Sequence, residues 1–201
     1  MSEGLIYLVD DDASVLKAIS RLLREAGYEV RAFQSPSDFL EQHDSEAVGC
    51  AVFDLAMTGL NGLDLHREMS ARGYRRPTIF ITGHGDVPSS VQAMKLGAVD
   101  FLTKPVHDED LIEAVRAAVE RDFAARRQLS ELETVSKKVS QLTPREREVM
   151  DHVISGRLNK QIAAAMQISE KTVKVHRARV MAKMAVRSVA ELVRLNDSMR
   201  A

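Results

Sequence analysis

Acidic residues stand in a run at Asp10, Asp11 and Asp12, directly after the apolar stretch Leu5–Val9, and Asp54 follows a second such stretch, Cys50–Phe53. Thr82 closes Thr78–Ile81, and Thr103, Lys104 and Pro105 close Val99–Leu102. Carboxylates, a hydroxyl and an ammonium in one place would bind a divalent cation and handle a phosphoryl group. Asp10, Asp11 and Asp54 side by side would repel one another, by about 4 kcal/mol for two charges ~4 Å apart at an effective dielectric near 20. Hard oxygen ligands of this kind suit Mg²⁺, which accepts one or two carboxylates together with waters and phosphate oxygens. With the ion present, an Asp carboxylate is a competent nucleophile towards phosphorus and gives an aspartyl-phosphate. Mg²⁺ and Lys104 would neutralise the equatorial oxygens of the transition state, while Thr82 supplies a hydroxyl to one of them.

Such residues meet only if the chain gathers the ends of its apolar runs. Short apolar runs between turn signals read as buried strands, here near 5–9, 28–33, 49–53, 77–82 and 99–103. Helical stretches near 13–26, 36–43, 61–72 and 88–96, and another from 108 onward, alternate with them. Ser35-Pro36 reads as a cap with proline at the first helical position, and Val87-Pro88 starts the fourth helix similarly. Gly27, Gly73 and Gly97 follow helical runs, where a left-handed residue is expected. Alternating β and α units give a doubly wound α/β fold whose parallel sheet binds ligands beyond its carboxyl edge, so all four polar endings should gather there.

The remaining third is different in kind. Residues 1–137 hold 23 acidic against 15 basic side chains, a net −8, whereas residues 138–201 hold 6 against 13, a net +7, which together give the overall −1. An acidic domain joined to a basic one points to a polyanionic partner for the second. From Asp108 to about Val139 there is neither Gly nor Pro. Apolar residues recur there every three or four positions, except at Asp122 and Ser136, which predicts one long helix; it could serve as a dimeric coiled coil or as a solvated connector. Thr143-Pro144-Arg145-Glu146 forms a capping box, Gly156 ends the helix it opens, and Ser188-Val189-Ala190-Glu191 is a second box. Between them a short helix at Asn159–Met166, a turn at Gln167-Ile168-Ser169 and a longer helix at Glu170–Met184 make a helix-turn-helix. Val173, Val180 and Met184 should pack inward, leaving Lys174, His176, Arg177, Arg179 and Lys183 towards nucleic acid. Lys171 and Thr172 suit backbone phosphates.

One cysteine, Cys50, excludes an intrachain disulfide and a Cys-rich zinc site, and inside an apolar strand it should behave as a small hydrophobe. No apolar run nears the ~20 residues of a membrane helix, and the N-terminus lacks a signal pattern, so a cytoplasmic protein is expected. With no Trp and few other aromatics, the chain lacks platforms for stacking single-stranded nucleic acid.

The first ~120 residues resemble the receiver domain of two-component response regulators, with a flavodoxin-like fold. The stretches Ile81-Thr82-Gly83-His84-Gly85-Asp86-Val87-Pro88 and Gly97-Ala98-Val99-Asp100-Phe101 are similar to the FixJ branch. The resemblance implies that Asp54 is the phosphoacceptor, Asp11 the direct Mg²⁺ ligand, Asp10 an acidic-pocket residue and the carbonyl of Ala56 a further ligand. Thr82 and Phe101 match the family's switch pair, and Lys104 its lysine before a cis proline. Asp12 falls outside the matched pair and reads as a helix-start anion. Where the family usually has Met-Pro after the phosphoacceptor, this chain has Met57-Thr58, which predicts a freer loop. Ala56 and His84 occupy positions at which the family tunes access of the hydrolytic water.

Residues 138–201 resemble the LuxR-type DNA-binding domain of FixJ/NarL regulators through Leu142–Val149, Asn159–Ala163 and Thr172–His176. The resemblance implies that Lys174, Val175 and Ala178 face base edges, with Ala178 able to touch only a thymine methyl. The implied organisation is a receiver at 1–122, a helical linker at 123–137 and an output domain at 138–201. The implied partners are a sensor histidine kinase, double-stranded promoter DNA, a second copy of the phosphorylated chain paired through Val91, Lys95 and Asp100, and RNA polymerase. No membrane and no turnover enzyme are implied, only self-phosphorylation and slow aspartyl-phosphate hydrolysis. Two other readings compete. A phosphatase working through an aspartyl-phosphate would need an Asp two residues after the nucleophile, where this chain has Ala56. A ligand-gated LuxR-type regulator would need a roomy apolar sensor pocket.

Overall fold

The computed structural model describes residues 4–83 and 87–198. Its first unit, residues 1–125, holds a five-stranded sheet. The strands are β1 (Leu5–Val9), β2 (Glu29–Phe33), β3 (Gly49–Asp54), β4 (Thr78–Thr82) and β5 (Asp100–Thr103). All pairs are parallel and the order is β2-β1-β3-β4-β5, the flavodoxin-like arrangement. β1, β3 and β4 are buried along their whole length, as continuous apolar runs covered by helices on both faces require. Side-chain alternation divides the core in two. On one face α1 (Ala13–Glu25) and α5 (Asp108–Ser140) set Leu16, Leu23, Leu111 and Val115 against Ile6, Leu8, Val52 and Ile79. On the other, α2 (Pro36–Gln42), α3 (Gly62–Ala71) and α4 (Val87–Lys95) set Phe39, Leu65, Met69 and Ala93 against Tyr7, Phe53 and Phe80.

Local signals explain most helix ends. The Asp12 carboxylate accepts from the amides of Ser14 and Val15, satisfying two otherwise orphaned donors of α1. Gly27, Gly73 and Gly97 take positive φ beyond α1, α3 and α4. Ser35 does not cap α2 with its side chain; its hydroxyl pairs with that of Ser37 instead. Cys50 is fully buried and burial pushes its thiol up to about 12, so it remains a neutral, apolar filler.

The second unit, residues 126–201, is helical throughout its described length: the end of α5, then α6 (Pro144–Ile154), α7 (Asn159–Met166), α8 (Glu170–Met184) and α9 (Val189–Ser198). Its core joins Val149, Met150 and Val153 to Ile162, Met166, Val173, Val180, Met184 and Leu192. The Thr143–Glu146 capping box forms in full. At the second box only half does: Ser188 accepts from the amide of Glu191, while the Glu191 carboxylate reaches the amide of Arg187 rather than that of Ser188.

The helix expected from 108 to about 139 is continuous to Ser140. Its break at Asp122 has a physical cause: the carboxylate is buried and accepts the amide of Gly49 at 2.9 Å, so a polar residue completes the start of β3. Towards the end of α5, Val135 is buried in the second unit's core and Val139 packs against it. Among the described residues no helix is long and apolar enough to cross a membrane.

Candidate functional site

The register of the sheet gathers the polar strand endings. Val9 lies beside Phe53, Asp54 beside Ile81 and Thr82 beside Thr103, so Asp10 and Asp11, Asp54, Thr82 and Lys104 share the carboxyl edge. Carboxylate oxygens of Asp10, Asp11 and Asp54 all lie within 4.8 Å of one another. Lys104 precedes a cis Lys104–Pro105 bond and bridges two of them, with Nζ 2.7 Å from Asp10 Oδ2 and 2.8 Å from Asp54 Oδ1. Burial raises the pKa of Asp10 and outweighs the Lys104 hydrogen bond that opposes it. Burial alone would lower that of Lys104, but its bonds to Asp10 and Asp54 prevail and raise it. Three carboxylates against one ammonium leave the cluster net negative, and every donor is a hard oxygen. That donor set fits Mg²⁺.

The loop after β3 is tied rather than free. The amide of Ala56 donates to Asp54 Oδ2 at 3.0 Å, Met57 is buried in the core, and the amide of Gly62 donates to the Leu55 carbonyl. Thr58 donates twice to Asp11 Oδ2, from its amide at 3.0 Å and its hydroxyl at 2.9 Å. These bonds correct the expectation of a looser loop, because Thr carries two donors that proline lacks. They also hold the Asp11 pKa below the usual carboxylate range. Both bonds join residues 47 apart in sequence, so nothing local in the sequence announces them.

Thr82 is buried, and Phe101 is half-buried against the same core face as Phe80, its cross-strand partner. Thr82 is two residues beyond Phe80 and therefore diagonal to Phe101 on that face. Val91 and Lys95 are exposed on α4; the Asp100 carboxylate accepts the amide of Phe101. Val87, Val91 and Met94 form an exposed apolar strip at 73, 45 and 51 % exposure. His84 lies outside the described residues.

In α8 the buried residues are Val173, Val180 and Met184. On the opposite side Lys171, Thr172, Lys174, Val175, Ala178 and Arg179 are all exposed. Val175 and Ala178 lie mid-face, with the cations around them. Three other residues expected to face nucleic acid sit on the shoulders beside the buried stripe. Lys183 Nζ is 2.6 Å from Glu146 Oε2 and also donates to the Gln141 carbonyl. Arg177 donates to Asn159 Oδ1 at 2.8 Å, bracing α8 on α7. His176 is half-buried, with Nδ1 sequestered from solvent. Lys183 and Arg177 are thus engaged within the domain. Glu146 was legible only as a capping residue, since its partner Lys183 is 37 positions away.

Two family models match the chain: the response regulator receiver domain over residues 6–116, and bacterial regulatory proteins of the luxR family over residues 140–196. The transcriptional regulatory protein FixJ of Bradyrhizobium diazoefficiens is 42% identical over 194 residues, covering 96% of this chain and 95% of the relative. The response regulator protein TmoT of Ectopseudomonas mendocina is 42% identical over 198 residues, covering 98% of this chain and 90% of the relative. Among solved structures, the response regulator StyR matches at a TM-score of 0.89 and 41% identity, over 96% of this chain and 98% of that one. Full-length FixJ from B. japonicum matches at 0.62 and 40%, over 100% and 98%.

Proposed function

Because this chain belongs to the FixJ-like response regulators, with a receiver domain and a LuxR-type DNA-binding domain, we propose that Asp54 is the covalent input through which its DNA binding is switched. The observation that carries this reading is the Lys104 bridge: one ammonium holds Asp54 Oδ1 and Asp10 Oδ2 at the sheet edge where a phosphoryl group would arrive. A sensor histidine kinase would present a phosphohistidine. An oxygen of Asp54 attacks phosphorus, the N–P bond breaks as the O–P bond forms, and the departing imidazole nitrogen keeps the electron pair and takes up a proton. Asp11, Asp54 and the Ala56 carbonyl would hold Mg²⁺, with Asp10 beside them, and the ion supplies neutralisation of charge on the phosphoryl oxygens. Lys104 then shifts from the carboxylate to a phosphoryl oxygen, and the Thr82 hydroxyl bonds another. Phe101 turns inward behind Thr82 and reshapes the α4–β5 face.

Val87, Val91 and Met94 support a second copy of the chain as the occupant of that face, with Lys95 and Asp100 beside them. A dimer would set two α8 helices about one DNA turn apart on promoter DNA, beside RNA polymerase. Contacts to phosphates and bases fall to Lys171, Thr172, Lys174, Val175, Ala178 and Arg179, with His176 on the shoulder. The division we favour remains a receiver at 1–122, a connector at 123–137 and an output domain at 138–201, with Val135 anchoring the connector's last turn. A DNA target places the working protein in the cytoplasm. Catalysis is confined to self-phosphorylation and slow loss of the phosphoryl group.

The test is incubation with acetyl phosphate and Mg²⁺, followed by separation of phosphorylated from unmodified chains. Wild type should gain one acid-stable, base-labile phosphoryl group; Asp54→Asn should remain unmodified. Equal labelling of Asp54→Asn would move the input elsewhere.

A further inference from the structure

Asp11 is held differently from its two neighbours. Asp10 and Asp54 share Lys104, whereas the Asp11 carboxylate is exposed and its Oδ2 takes both the amide and the hydroxyl of Thr58. An exposed Asp side chain would otherwise move among rotamers, and ordering it on ion binding costs entropy. Two donors on one oxygen fix the carboxylate plane and leave Oδ1 for another partner. The donor residue is itself well placed. It follows buried Met57, and four positions before it lies Asp54, whose Oδ2 accepts from Ala56 on the same loop. Beyond it, Gly62 closes the loop against Asp54: a Cβ there would lie 2.4 Å from the Asp54 carbonyl oxygen. The loop is thus anchored to both carboxylates, through Ala56 to one and through Thr58 to the other.

We infer that Thr58 is a positioning residue for the divalent cation, presenting Asp11 to the ion and coupling the β3–α3 loop to its occupancy. The inference rests on the assignment of Asp11 as a metal ligand. Groups that orient a ligand from outside the coordination sphere typically contribute 10- to 100-fold to metal affinity. The exposure of this pair places the expected effect at the low end. Thr58 does not contact the ion itself; it acts through Asp11. In this chain two hydrogen bonds give the loop the order that a proline ring would impose covalently.

The test uses the full chain and Mn²⁺ as the probe, with free ion read by electron paramagnetic resonance at constant pH. Thr58→Val keeps shape and the amide donor but loses the hydroxyl, and should weaken Mn²⁺ binding about tenfold. Thr58→Ser keeps both donors and should bind within about twofold of wild type, a rescue that mere loop packing would not give. Asp11→Asn, the control for the metal site, should bind far more weakly than either. If Thr58→Val binds as wild type while Asp11→Asn is impaired, the metal site stands and the role of Thr58 falls. If Thr58→Ser is as weak as Thr58→Val, the hydroxyl is not the active group and the inference falls likewise. If Asp11→Asn also binds as wild type, the assignment of Asp11 as a ligand falls with it. Metal-free melting of each variant shows that the fold is retained.

Discussion

A buried carboxylate beside a second one is unfavourable until something offsets it, and in this pocket Lys104 is shared between Asp10 and Asp54. The raised pKa of Asp10 carries that cost. A raised carboxyl favours folding most below its ordinary value of 3.8 and loses that contribution as pH rises through the raised value, so at neutral pH the charge opposes folding. Asp10→Asn should therefore raise the melting midpoint of the metal-free receiver. Added Mg²⁺ should stabilise wild type more than the variant, because the ion binds only the folded cluster. A lower metal-free midpoint for the variant would refute the strain. Glu146 has the opposite sign. Its hydrogen bond from Lys183, then that from the Thr143 amide, holds its pKa down at about 2. Its contribution is complete above the ordinary 4.5 and is lost as pH falls towards 2. Melting curves of wild type and Glu146→Gln should accordingly differ above pH 4.5 and converge towards pH 2.

Elements carry the site because their ends coincide. The β3–α3 connection is a tight junction, since Gly62 packs its Cα where a side chain would strike the Asp54 backbone. Gly62→Ala should cost about 1–3 kcal/mol and displace the loop, measured as a lower unfolding midpoint with weaker Mn²⁺ binding. In α8 the exposed and engaged cations should separate in the same way. Lys174→Ala or Arg179→Ala should reduce the slope of log affinity against log salt by about 1 each, whereas Lys183→Ala should leave the slope unchanged and lower the melting midpoint. The elements were legible because each rests on a local pattern. Continuous apolar runs marked β1, β3 and β4, Asp12 and Thr143 marked helix starts, and the spacing of Val173, Val180 and Met184 marked the buried side of α8. What stayed hidden rests on partners distant in sequence. Thr58 finds Asp11 and Lys183 finds Glu146 only after folding, and Asp122 looked like a flaw in a helix until Gly49 supplied its donor. Competition among neighbours misled at Ser35, whose hydroxyl pairs with Ser37, and at Glu191, which reaches one residue further back than its box requires.

For the whole molecule, the opposed charges of its two parts separate what each part can sense. The acidic part concentrates three carboxylates at a sheet edge, and a phosphoryl group on Asp54 would put about two negative charges where the carboxylate carried one. The basic part exposes Lys171, Lys174 and Arg179 around an apolar centre at Val175 and Ala178, an arrangement that suits phosphates outside and base edges within. If pairing through α4 links the two, stabilising the dimer by about 1–3 kcal/mol should tighten promoter binding five- to 150-fold. Beryllofluoride with Mg²⁺ mimics the phosphoryl group and should produce that gain in wild type but not in Asp54→Asn. Val91→Asp places a charge in the middle of the exposed strip while leaving the pocket intact. This variant should still take up the phosphoryl group, remain monomeric by light scattering, and bind the promoter no better than the unphosphorylated chain. Full activation of Val91→Asp would show that the signal leaves the receiver by another face. Loss of phosphorylation in that variant would instead mean that α4 and the pocket are one cooperative unit, since Val91 lies outside the carboxylate cluster.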